Sequence, residues 1–308
     1  MNQMKKQERT GYFQVFAAGA LWGGIGIFVT AMGTHGSTGA LTSFLRMFFS
    51  FLILAVITAA RFGLRAFRVD KRTLLHCALL GLVCQGIYNV FYSLAITKAG
   101  VTISAVLLNV APVFTALAAR FLFAEKITKA KAAALVINVA GCTLAVTGGS
   151  FSVETLSLSG ILFGAGAGFY ALTAIFGRFA GEKTNAFVVS TYSYLFASVF
   201  LFLFLRPWTS APPLTPALLL WGFFYALIPT AIAYLLYYAG VQKIKESSKV
   251  PVLASVETVA AALLGVLVYH EQIGLANLAG IALVMCSILM MNRAFMPLRK
   301  KKARQENT

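Results

Sequence analysis

The chain has 308 residues, 59% of them hydrophobic and only 11% charged, with a mean hydropathy of +0.81. That is too little charge to cover a soluble protein of this size, so a soluble domain is excluded and most of the chain belongs in hydrocarbon. The net charge of +17 does not point to nucleic acid, because the basic residues stand in short clusters between long apolar runs, where they serve membrane topology.

A bilayer core of about 30 Å takes roughly 20 apolar residues per helix. On that ruler the sequence predicts an all-α polytopic membrane protein with spans at 12–32, 38–60, 73–96, 101–122, 131–148, 158–177, 185–205, 215–240, 249–269 and 274–292. Backbone polar groups find no water in lipid, so each span is helical. The first run, Tyr12 to Met32, is long enough to cross and is followed by further spans; it reads as a retained helix, not a cleaved signal. It carries Trp22. His35 falls in the loop after it. Span 2 holds Arg46, which could clamp a substrate carboxylate or instead snorkel or bond to backbone carbonyls. Span 3 begins near His76, an interfacial position. Its Gln85, Tyr88, Asn89 and Tyr92 recur at three- and four-residue steps and share a face. That face avoids lipid, because an unsatisfied amide there costs several kcal/mol in order of magnitude. Span 4 carries Asn109, Pro112 and Arg120 and ends at Glu125.

Span 6 has Gly160, Gly164, Gly166 and Gly168, which permit close helix approach or leave room for a ligand, and Tyr170. Span 8 carries Pro229, Tyr234, Tyr237 and Tyr238. Span 9 begins near Pro251. The three prolines permit either static kinks or hinges. Glu257 lies deep in span 9, and intramembrane charges are functional candidates by default. It could bind a cationic group or carry a coupling proton; as a structural residue it could pair with Arg46. Glu125 and Glu271 sit at span ends on opposite faces, as gates or, structurally, paired with Lys126 or capping the next helix. His270 beside Glu271 has no second metal ligand at i+4. Cys77, Cys84, Cys142 and Cys286 lie in apolar runs without metal spacing and read as small packing residues. No metal and no cofactor is expected.

Lys and Arg fall on one side. The N-terminus, alternate loops and C-terminus hold nearly all of the 26. The opposite loops hold Lys98 and Arg206, and Arg46 and Arg120 lie within spans. This bias places both termini in the cytoplasm and supports an even number of spans. The Arg299–Arg304 cluster reads as a solvated tail that anchors orientation, with anionic lipid as the alternative ligand.

The halves resemble each other. APVFTALAARFLFAEKIT (Ala111 to Thr128) aligns with ETVAAALLGVLVYHEQIG (Glu257 to Gly274), pairing Glu125 with Glu271 and Ile127 with Ile273. In the same register Phe91 and Tyr92 match Tyr237 and Tyr238, Ala134 matches Gly280, and Gly141 matches Ser287. LWGG (Leu21 to Gly24) resembles FYAL (Phe169 to Leu172). Each half has five spans, so the second enters from the opposite side: an inverted-topology repeat, as in many secondary transporters. Two such halves can exchange roles, which makes inward-open and outward-open states similar in energy.

On LWGG, the Arg within SFLRMFF (Ser43 to Phe49) and the pattern Pro112, Glu125, Gly141, the sequence resembles the EamA family of the drug/metabolite transporter superfamily. The second copy keeps Glu271 and Gly280 but has Thr258 where proline is expected. The resemblance implies one repeat over 1–149 and a second over 150–308 with a basic cytoplasmic tail. It implies a central cavity lined mainly by spans 1, 3, 4, 6, 8 and 9, and export of small metabolites such as amino acids, often proton-coupled.

The candidate cavity residues are therefore Trp22, Gln85, Tyr88, Asn89, Tyr92, Asn109, Tyr170, Tyr234, Tyr238 and Glu257, with Arg46 and Glu257 as coupling or structural charges. Together they suit amphiphilic solutes; taken singly, each aromatic also fits core packing or an interfacial belt. The expected partners are a small-molecule substrate, the lipid bilayer of a cytoplasmic (inner) membrane, and protons as the candidate coupling ion; nucleic acid is not one. No Walker-type loop appears, so ATP drive within the chain is not expected. A passive facilitator or importer is the alternative transport reading. An enzyme acting on lipids would need clustered catalytic or metal residues, and a sensor or scaffold would need an output domain.

Overall fold

The computed structural model describes residues 2–92, 94–95, 106–150, 162, 166–181, 184–210, 212–270 and 272–293. Lys98, Gly160, Gly164, Lys183, Glu271, the Arg299–Arg304 cluster and most of the expected sixth span lie outside them. Among the described residues the regular structure is helical. Eight helices are long and apolar enough to cross a membrane: Gln7–Thr34, Gly39–Phe62, Lys71–Tyr92, Val106–Phe123, Lys129–Thr147, Ala186–Leu205, Pro216–Val241 and Ser247–Tyr269. They fall at the expected spans 1 to 5 and 7 to 9. A helix at Leu275–Arg293 stands at the tenth position, and Ala167–Leu172 leads into Thr173–Ala180 at the sixth.

Local chemistry sets the helix ends. Thr38, Thr128 and Thr215 each cap a helix by accepting a backbone N–H three residues on, from Leu41, Lys131 and Leu218, and Asn185 accepts from Phe187 and Val188. Such caps satisfy amides that a helix start leaves without a partner. Gly63 and Gly148 end their helices with φ of 73° and 61°, a conformation glycine adopts without steric cost.

Polarity is turned inside out relative to a soluble protein. Phe121 is 83% exposed and Leu275 86%, while Arg46, Lys131 and Lys249 are buried. An apolar exterior around buried charge is stable in lipid and not in water. Cysteine packing follows the expectation at Cys77, Cys84 and Cys142, which are buried; Cys286 departs from it and faces outward.

Several helices are broken, and the breaks recur at similar spacing. Span 3 is π-helical over Leu80–Ile87 and span 8 over Leu227–Ile232. Span 4 turns at Asn109 and Val110, and span 9 at Ser255. Span 4 ends on Ala124 and span 9 on His270, both left-handed, at φ 52° and 55°. A π segment frees carbonyls and widens the turn, which lets Pro229 sit within span 8. Pro112 and Pro251 occupy first turns of helical segments, where a missing N–H costs little. They start new segments and interrupt no helix interior.

Spans 5 and 10 cross in backbone contact. A Cβ added at Gly280 would strike the Ala145 backbone, and one added at Gly141 would come within 2.8 Å of Leu283 Cβ and 3.0 Å of Gly280 O. Asn277 Nδ2 ties the crossing by donating to Ala145 O at 2.8 Å.

Candidate functional site

A cavity of about 540 Å³ lies among spans 3, 4, 5, 6, 8, 9 and the start of span 10. It runs from near the start of span 9, at Pro251 and Ala254, to Gln272, Ile273 and Asn277 beyond the end of that span. Span 5 contributes where span 1 was expected to. Of the predicted cavity residues, Tyr92, Asn109, Tyr170 and Glu257 line it; Tyr237 does too.

Glu257 is in the first turn of Val256–Tyr269, directly after the break at Ser255. The free N–H groups of a helix start favour a carboxylate there. Among the described residues the carboxylate has neither a hydrogen-bond nor an ion-pair partner. The alternative pairing with Arg46 does not form. Arg46 instead donates to Thr230 Oγ1 at 3.0 Å and to Tyr225 Oη at 3.3 Å, and its guanidinium lies 5.1 Å from the Tyr225 ring centre. It does not line the cavity, and its bonds tie span 2 to span 8, at Tyr225 and at Thr230 in the π segment.

The floor beside Glu257 is built from groups outside the expected set. Asn138, buried on span 5, donates through Nδ2 to Ser255 Oγ (2.6 Å) and Ser287 Oγ (2.9 Å). Its Oδ1 has no partner among the described residues. Ser255 Oγ donates to Val252 O at 2.6 Å, and Thr258 Oγ1 to Cys142 Sγ at 3.6 Å. One Asn among apolar neighbours in KAAALVINVAGC has no periodic pattern to mark it; its intramembrane amide is the available signal.

The other expected residues form an aromatic wall behind the cavity. Trp22 packs against Tyr170, Tyr234 and Tyr237 at ring distances of 6.1, 4.8 and 5.1 Å. Tyr88 stacks on Tyr92 (5.7 Å) and lies against Tyr170 (5.1 Å). Tyr238, buried, packs on Tyr234. Gln85 is fully buried, with Oε1 3.5 Å from Tyr234 Oη and Nε2 lacking a partner. Asn89 donates to Gln85 O and accepts weakly from Ser43 Oγ at 3.5 Å. Along span 3, Tyr92 reaches the cavity, whereas Gln85, Tyr88 and Asn89, earlier on the helix, are not among its lining residues.

The opposite end of the bundle is closed by polar contacts. Glu125 accepts from Ser247 N (2.6 Å), Ser248 N (3.3 Å) and Ser248 Oγ (2.7 Å). Arg178 stands 3.6 Å from Glu125, donates to Lys245 O and Ser247 Oγ, and lies 4.3 Å from the Phe123 ring centre. Lys131 pairs with Glu246, and Lys249 stands 3.7 Å from the same carboxylate. This corrects the expected roles of Glu125: Thr128 caps the next helix, and Glu125 caps the start of span 9 while pairing with Arg178. Sequence reasoning missed Ser247 and Ser248 because the contact joins residues more than 120 positions apart. His76 stacks on Phe179 at 5.3 Å near this end.

The profile of the EamA-like transporter family matches residues 9–147 and again 158–293. An uncharacterized transporter from Archaeoglobus fulgidus is 28% identical over 283 residues, spanning 92% of this chain and 96% of its own length. A solved crystal structure shares the fold, with a TM-score of 0.77 at 19% identity, over 92% of this chain and 98% of its own. With an apolar, multi-span helical exterior, a cavity among the spans and both stretches of the family profile, the chain belongs to the EamA-like transporter family of membrane proteins.

Proposed function

We propose that the chain is a secondary carrier, not an enzyme, that exports small amphiphilic metabolites, amino acids or their relatives, across a cytoplasmic membrane by alternating access. The observation that carries this reading is the cavity's asymmetry: it extends to one end of the bundle and is sealed at the other by Glu125, Arg178 and the Ser247–Ser248 backbone. A carrier needs such a seal at one face at a time.

Two inverted halves, 1–149 and 150–308, supply the second state. In support, the left-handed caps Ala124 and His270, the turns at Asn109 and Ser255, and the two π segments all recur in one register. With five spans per half the repeat is inverted, so the contacts that seal one face have counterparts at the other. Both termini then lie in the cytoplasm, on the side of the basic loops. Glu257, without a hydrogen-bond or ion-pair partner among the described residues and midway along the path, is the group we assign to the coupling proton. Solute flux in proteoliposomes, with and without a pH gradient, tests the reading. Flux that the gradient accelerates is expected; a purified protein that moves no solute and turns over lipid would overturn it.

A further inference from the structure

The cavity is chemically one-sided. Glu257 is the one charged side chain among its described lining residues. The polar groups around it have spent their hydrogens elsewhere: Asn138 Nδ2 on Ser255 and Ser287, Ser255 on Val252 O, and Thr258 on Cys142. What remains of these groups for a ligand is the lone pairs of the two hydroxyls; Asn138 has no accessible surface, and its Oδ1 has no partner among the described residues. A lone carboxylate with hydroxyl acceptors beside it suits a ligand that brings hydrogens and positive charge. Tyr92 and Tyr170 line the same cavity, and aromatic rings attract cations. Arg46, the nearby cation, is held by Thr230 and Tyr225 outside the lining. A substrate carboxylate would therefore meet Glu257 with no cation among the described lining residues to receive it.

We infer that the cavity is a site for organic monocations, aromatic or aliphatic primary amines, with Glu257 as counter-ion and Thr258 Oγ1 receiving a further ammonium hydrogen. This rests on the carrier reading above and narrows its substrate class: an amine lacking a carboxylate is preferred over the parent amino acid, and both over the acid. Charge balance follows, since the ligand neutralises a carboxylate that is costly to leave unpaired.

Three ligands of one ring and similar length separate the charges: phenethylamine, phenylalanine and 3-phenylpropionate. Binding is measured by calorimetry on the full chain in nanodiscs. Phenethylamine should bind, the acid should not, and phenylalanine should fall between. Glu257→Gln should weaken amine binding by about tenfold or more, the loss of one charge-assisted hydrogen bond. Glu257→Asp should retain most of it. The ligand series on the unmutated chain decides the matter even where Glu257→Gln fails to fold. No phenethylamine binding, or 3-phenylpropionate bound as tightly, overturns the inference, as does a folded Glu257→Gln protein with unchanged affinity. The parent reading fails separately. Uptake of 3-phenylpropionate but not the amine into proteoliposomes would sink the cation site and keep the carrier; amine binding without flux of any solute would keep the site and sink the carrier.

Discussion

Glu257 and Asn138 divide the work of the cavity floor between charge and connection. Glu257 makes no hydrogen bond or ion pair among the described residues, so Glu257→Gln should leave thermal unfolding nearly unchanged while removing the response of flux to a pH gradient. A drop in unfolding temperature with the response intact would assign it to structure instead. Asn138 joins spans 5, 9 and 10. Asn138→Ala should cost about 1–3 kcal/mol for two neutral hydrogen bonds. The lower half of that range is expected, because Ser255 and Ser287 keep bonds to their own helices. Chemical unfolding in detergent measures it. Glu257 was legible as a charge among apolar residues. Asn138 was not, because its role comes from two hydroxyls on helices more than 100 residues away.

Helix ends could be read from local residues: Thr38, Asn185 and Thr215 each precede an apolar run and each caps it. The π segments could not, since the apolar pattern of LGLVCQGI fits an ordinary helix equally well and the wider turn is set by neighbours. Two predictions belong here. Gly280→Leu should destabilise by about 1–3 kcal/mol or more, because the added carbons meet backbone that has no room to yield; an unchanged unfolding temperature would deny the close crossing. Glu125→Ala leaves the Ser247 and Ser248 amides without their acceptor and should loosen the sealed end. In a chain cleared of its own cysteines, Ala254→Cys should then react several-fold faster with an impermeant maleimide supplied from that end, for a seal weakened by about 1 kcal/mol or more. An unchanged rate would show that the latch does not gate.

For the whole molecule, burial and charge point the same way. Large apolar side chains such as Phe121 and Leu275 look outward, while Lys131, Lys249 and Arg178 meet Glu246 and Glu125 at the latch. Hydropathy made the membrane class plain, and the recurrence of Glu125 and Glu271 pointed to two halves. The cavity's extent was not legible, because it depends on where spans 5 and 10 enter the bundle. The most direct measurement is sided labelling of single cysteines in whole cells and inside-out vesicles. The account predicts Gln272→Cys and Asn277→Cys labelled from outside, Lys126→Cys and Lys245→Cys from inside only, and tags at both termini inside. Labelling of Gln272 and Lys126 from one face, or termini on different faces, would contradict it.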